Sequence, residues 1–156
     1  MKHLILITYL LVTLFVGHAQ TNKVDSLIAK LDNEKLVGTC NYVWVLKNGC
    51  KEADTLINIG RTHKEVNKII TLKLFNLLTD PTKGIISHYI LANIYFGEKI
   101  TSGTIFFDDK DATLEYNYCG LRFYENIYRR MFSDTNELEH NKKVWSVLFR
   151  QIKLID

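Results

Sequence analysis

Ile85-Ile86-Ser87-His88-Tyr89-Ile90-Leu91-Ala92-Asn93-Ile94-Tyr95-Phe96 is apolar at nine of its twelve positions and carries no Asp, Glu, Lys or Arg. Its apolar residues fall on nearly every side of a 3.6-residue period, and a helix apolar all round is normally buried. The stretch is therefore expected to be the central core helix. Asp80-Pro81 opens it, since Asp is a good N-cap and Pro suits the first helical turn, where its missing N–H costs nothing. Upstream, Val66, Ile69, Ile70, Leu74, Leu77 and Leu78 recur at helical spacing among polar residues. That pattern predicts an amphipathic helix ending at Thr79. Thr62-His63-Lys64-Glu65 has the form of a capping box at its start. A further helix is expected from Lys51 to Ile59, stopped by Gly60, because glycine tolerates the left-handed conformation that ends helices.

A faint repeat runs through this region. Leu56-x-Asn58-Ile59 returns as Leu91-x-Asn93-Ile94, 35 residues on, and each copy is followed by a glycine, Gly60 and Gly97. Over about residues 50–97 the chain resembles HEAT-like helical repeats, with one helix ending in an Ile-Gly stop and the next in Leu-Leu-x-Asp. The resemblance implies stacked helix pairs. The chain departs from the pattern after Gly97, where strand-like sequence replaces the next helix, and an array needs three or more units to bury its faces.

The N-terminus predicts export. Met1-Lys2-His3 precedes an apolar run from Leu4 to Val16, then Gly17-His18-Ala19, with small residues at −3 and −1 of a cut after Ala19. The run is short for a bilayer span, so residues 1–19 are read as a signal peptide and 20–156 as a single domain. The expected location is periplasmic or secreted, with no stable membrane span after cleavage. A cut leaving Gln20 first resembles the secretory signals of Bacteroidota-type bacteria. Losing Lys2 leaves 19 basic residues against 17 acidic ones. This scattered near-balance excludes the clustered basic stripe that nucleic-acid binding requires. The remaining length can bury a core without external staples.

Three cysteines occur in this exporting context. Cys40 and Cys50 flank an apolar run and the turn pair Asn48-Gly49, and a bridge between them would add about 2–3 kcal/mol by closing a short loop. Bridges to Cys119, or three free thiols, remain as alternatives. The first mature helix is expected over 22–37, with Asp25, Lys30, Asp32, Asn33 and Glu34 on its polar face and Gly38 at its end. Tyr42-Val43-Trp44-Val45-Leu46 is read as a short helix, since no strand partner is evident beside it.

Beyond Gly97 the texture changes. Thr104 to Phe107 and Thr113 to Cys119 suggest a β-hairpin near residues 104-119, with Asp108-Asp109-Lys110-Asp111 as its turn. Leu121, Tyr124, Tyr128, Met131 and Phe132 suit a short helix. Asp134 and Glu137 cap the last one, whose apolar face is Leu138, Val144, Trp145, Leu148, Phe149 and Ile152. The expected fold is α+β and mainly α: helices packed around a buried central helix, one β-hairpin and a C-terminal helix.

No motif names a reaction. The acidic run Asp108, Asp109, Asp111 and Glu115 lacks the glycine and spacing of a calcium loop. His63, His88 and His140 form no zinc-binding pattern, so neither metal nor cofactor is expected. His88 is the odd histidine, set in the core helix beside Ser87. It could serve as a base or orient the Cys119 thiol or a carboxylate in a hydrolase-like enzyme, though a structural role is the commoner fate of such a residue. Arg122, Tyr124, Tyr128 and Arg129 cluster the residue types favoured at interface hot spots. The preferred expectation is a non-catalytic module binding a protein partner. A hydrolase-like enzyme and a periplasmic inhibitor or immunity-type protein are the alternatives.

Overall fold

The computed structural model describes residues 20–38, 44–46, 50–97, 105–108, 113–118, 121–125 and 131–155, with side chains over 20–36, 50–97 and 133–155. Five helices dominate: α1 (residues 20–29), α2 (Lys51–Thr62), α3 (Lys64–Asn76), α4 (Gly84–Phe96) and α5 (Thr135–Gln151). Helix α4 lies at the centre and packs against α2, α3 and α5. Ile85, Ile86, Ile90, Leu91 and Ala92 are all fully buried, as the uniform apolarity of the segment requires. Phe96 departs from that expectation and stands 60% exposed at the helix end. Gly97 follows with φ +83, a left-handed conformation suited to glycine at a helix stop.

The expected class, α+β with one β-hairpin near residues 104-119 packed on the helices, is corrected: the body described with side chains is helical, and the backbone of Ile105–Asp108 and Thr113–Tyr118 pairs antiparallel as part of a four-stranded ladder, not as a lone hairpin. Where side chains are described, 77% of residues are helical, and no sheet or hairpin is built among them. The strand propensity of 104–119 says which backbone is locally favoured. It does not say what closes the core, and the helices close it. Short extended backbone segments border this body: Leu36–Gly38 pairs antiparallel with Trp44–Leu46, and others lie at Ile105–Asp108, Thr113–Tyr118, Leu121–Glu125 and Met131–Phe132. Two expected helices give way to them. Trp44–Leu46, the described part of the 42–46 run, has an antiparallel partner in Leu36–Gly38, a stretch that the sequence assigned to the end of the first helix. The 121–132 stretch is likewise extended at both ends.

The first helix stops at residue 29, not at 37. Asp32 ends the loop and its side chain accepts from the Glu34 amide, starting a single 3-10 turn over Asn33–Lys35. Asn33 is 3% exposed and is spent on α4. Its Oδ1 accepts from the Ile86 amide (3.0 Å), its Nδ2 donates to the Pro81 carbonyl (2.9 Å), and its own amide donates to the Thr82 carbonyl (2.7 Å). One orphan amide at the start of α4 is thereby satisfied from 53 residues away. Lys83 returns the favour, donating from Nζ to the carbonyls of Ile28 and Ala29 at the end of α1. Asp80 organises the turn before α4 by accepting from Thr82 and Lys83 amides and the Thr82 hydroxyl, and these hydrogen bonds offset burial to hold its carboxyl below the usual range. Asn33→Ala should lower unfolding free energy by about 2–3 kcal/mol, because it strands a buried amide and a carbonyl. Urea denaturation checks this, and a loss under about 0.5 kcal/mol would mean that water replaces the side chain.

Two glycine and capping expectations also change. Gly60 does not end α2, which continues to Thr62. A Cβ there would stand 2.6 Å from Ile94 Cδ1, so the glycine permits the close crossing of α2 over α4. The Thr62 hydroxyl donates back to the Asn58 carbonyl, and His63 occupies the cap of α3 without a side-chain bond to the helix's free amides. No capping box forms, because Thr62 is still helical. Arg61 places Nε and Nη2 on the Asn93 carbonyl (2.9 and 2.7 Å), covering an orphan acceptor at the C-terminal end of α4. Asp134 caps α5 as expected, accepting from the Glu137 amide at 2.9 Å. The buried face of α5 is Leu138, Asn141, Trp145 and Phe149, whereas Val144 and Ile152 are exposed.

Candidate functional site

Helices α4 and α5 enclose the polar group of greatest chemical interest. His88 is 1% exposed, one turn after Gly84 on the side of α4 that faces α5. Trp145 donates its indole Nε1–H to His88 Nδ1 at 2.9 Å, with the rings edge to face at 5.8 Å. An indole nitrogen can only donate, so Nδ1 must accept and the imidazole proton resides on Nε2. Burial pushes the imidazole down to about 3, leaving it neutral throughout the physiological range. Phe149 and Tyr95 stack obliquely around Trp145, and Phe75 meets Phe149 edge on. This aromatic wall seals the histidine from water.

Three further buried polar side chains belong to these helices, and one of them, Asn93, donates from Nδ2 to the Tyr89 carbonyl. Ser87 and Asn141 are both 0% exposed. Among the described residues neither the Ser87 hydroxyl nor either polar atom of the Asn141 amide makes a hydrogen bond. Beside them a fully bonded network joins three helices. Asn67 Nδ2 donates to the Gly60 carbonyl at 2.6 Å, Asn67 Oδ1 accepts from Tyr95, and the Tyr95 hydroxyl lies 2.9 Å from Thr71 Oγ. That network fixes the register of α3 on α4.

The surface offers one described depression of note, a groove of about 140 Å³ lined by Gln20, Lys23 and Val24 of α1, Ile59 of α2, His63 between helices, and Val66 of α3. Val24 and Val66 make a buried apolar floor, and Gln20, Lys23 and His63 form an exposed polar rim. The His63 Nδ1 sits 2.7 Å from the Thr62 hydroxyl. Small-molecule sites span roughly 300–1,000 Å³, so this groove holds at most a small side chain. No carboxylate lines it, and it provides no nucleophile beside a base.

The sequence-derived candidates fare differently. Cys50 is a buried free thiol before α2, and burial raises its pKa. Cys40, Cys119, Tyr128 and Arg129 lie outside the described residues. Arg122 and Tyr124 fall in the extended segment Leu121–Glu125, of which the backbone alone is described. Among the described residues no group of His, Cys, Asp and Glu is arranged to hold a metal ion, and no helix is long and apolar enough to cross a membrane. Lys83 and Asn141 escaped the sequence reading, and Asn33 was assigned to a solvent-facing helix side instead of its bonds to α4. Asn33 had a legible signal, since Asp32-Asn33 is a poor helix interior and a good cap. No protein-family model matches the chain, and neither a curated protein nor a solved structure does.

Proposed function

We propose that this chain is an exported helical module that binds a partner protein and performs no chemistry of its own. The observation that carries this reading is the placement of His88. A general base must come within hydrogen-bond reach of the proton it abstracts. His88 is sealed behind Trp145 and its Nδ1 lone pair is engaged, which argues against the hydrolase-like alternative. The partner-binding surface in this reading is Arg122, Tyr124, Tyr128 and Arg129, chosen for the rigid aromatic area and forked donors that dominate interface energetics. An inhibitor or immunity-type protein is one form of the same reading.

Capture from a bacterial envelope extract tests it. Wild-type protein should retain a partner that the Tyr124→Ala/Arg129→Ala double variant loses, with ten-fold or greater weakening if both are hot spots. Identical partner lists from the two proteins would reject this surface.

A further inference from the structure

We infer that α5 is a releasable helix, which leaves the body made by α1–α4 while that body stays folded. The two parts are held by different means. Polar bonds join α1–α4 to one another. Asn33, in the turn after α1, bonds the start of α4, and Lys83 bonds the end of α1 in return. Arg61 of α2 holds the Asn93 carbonyl of α4. Asn67 of α3 reaches Gly60 of α2 and Tyr95 of α4, and Lys73 of α3 pairs with Asp25 of α1 at 2.6 Å. Helix α5 packs on α4 and lies beside the extended backbone of Leu121–Glu125. Between α5 and the other helices the described residues supply one hydrogen bond, Trp145 to His88, with the Lys142 ammonium 5.5 Å over the Phe75 ring.

What keeps α5 closed is chiefly the burial of Leu138, Trp145 and Phe149. Asn141 works against it. It sits on the same face, one turn before Trp145, and is fully buried with neither its amide nitrogen nor its oxygen bonded. A buried polar group without partners carries its full desolvation cost. In a released α5 water reaches both ends of that amide, so the cost falls on the closed form alone. An apolar residue at this position would hold the helix shut, and asparagine loosens it. Release uncovers His88, Phe75 and Tyr95, against which the rings of Trp145 and Phe149 pack in the closed form. Opening of α5 thereby controls whether an aromatic face of the α1–α4 body meets solvent.

Native-state hydrogen exchange of the full chain, read by mass spectrometry, tests this. Relative to their intrinsic rates, amides of residues 138–149 should exchange about 100-fold faster than those of 85–91, as expected of an element that opens locally. Their exchange should also change less steeply with low concentrations of urea, because a local opening exposes less surface than global unfolding. Asn141→Leu should slow exchange in 138–149 about ten-fold by removing the stranded amide. Matched protection and matched urea slopes in the two segments would show that α5 leaves only when the whole body unfolds, and would overturn the inference. Faster exchange of 138–149 in Asn141→Leu would also overturn it, since the amide would then be holding the helix closed.

Discussion

Gly84→Ala should destabilise the protein by about 3 kcal/mol, a magnitude typical of forced overpacking, and should lower Tm by about 10 °C. A Cβ at this position would stand 2.5 Å from the Leu78 carbonyl oxygen and 3.1 Å from Leu138 Cδ2. The first contact is with backbone in the tight turn between α3 and α4, and the second is with a buried side chain of α5. Neither can yield without moving an element. The Gly84 amide also donates to the Asp80 carbonyl at 2.7 Å, which pins the turn. Gly60→Ala is the matched control. There the clash is with the side chain of Ile94, which is partly exposed and can rotate, and alanine gains about 1 kcal/mol of helix propensity. Gly60→Ala should therefore cost less than half as much. Equal losses for the two variants in urea denaturation would show that the approach of α4 to the turn is not the tight point.

The second large effect is a pH dependence that His88 imposes. Its folded-state value of about 3 lies well below the ordinary 6.5. Between these limits the unfolded chain binds a proton that the folded chain does not, so this stabilisation is complete above about 6.5 and is lost as pH falls toward 3. The slope reaches about 1.4 kcal/mol per pH unit, which amounts to roughly 3 kcal/mol two units below the ordinary value. His88→Gln keeps an acceptor for the Trp145 indole and removes the titration. The difference in urea stability between wild type and His88→Gln should shift by that amount from pH 7 to pH 4.5. Parallel pH profiles would show that protons reach His88 in the folded state, and the case against a catalytic role would fall with that result.

The sequence revealed most where one physical cause acted alone. The apolarity of Ile85–Leu91 leaves few options but burial, and α4 is buried. Asp134 followed by Glu137 marks a cap with no competing partner, and it caps α5. The failures occur where a local pattern was overruled by a distant neighbour. Gly60 looked like a stop because glycine commonly is one, but Ile94 on another helix supplies the reason for it. Asn33 looked like a polar face residue, yet it serves amides and carbonyls more than 45 residues away. The 42–46 run was read as helical for want of a strand partner, and that partner was hidden inside the over-extended first helix. The β-rich sequence at 104–119 was credited with a part in the packed body that the helices take. Of the candidate site, His88 was singled out correctly as unusual. Its burial followed from the sequence, but its bond to Trp145, 57 residues on, did not.

Asn33 and Lys83 tie two helix ends into a mutual latch. Each end stays raw until the other arrives, and the loops closed are 53 and 55 residues long. The opening helix is therefore no detachable ornament. Trimming the chain past Asn33 would leave the entrance to its innermost helix without the groups that complete it.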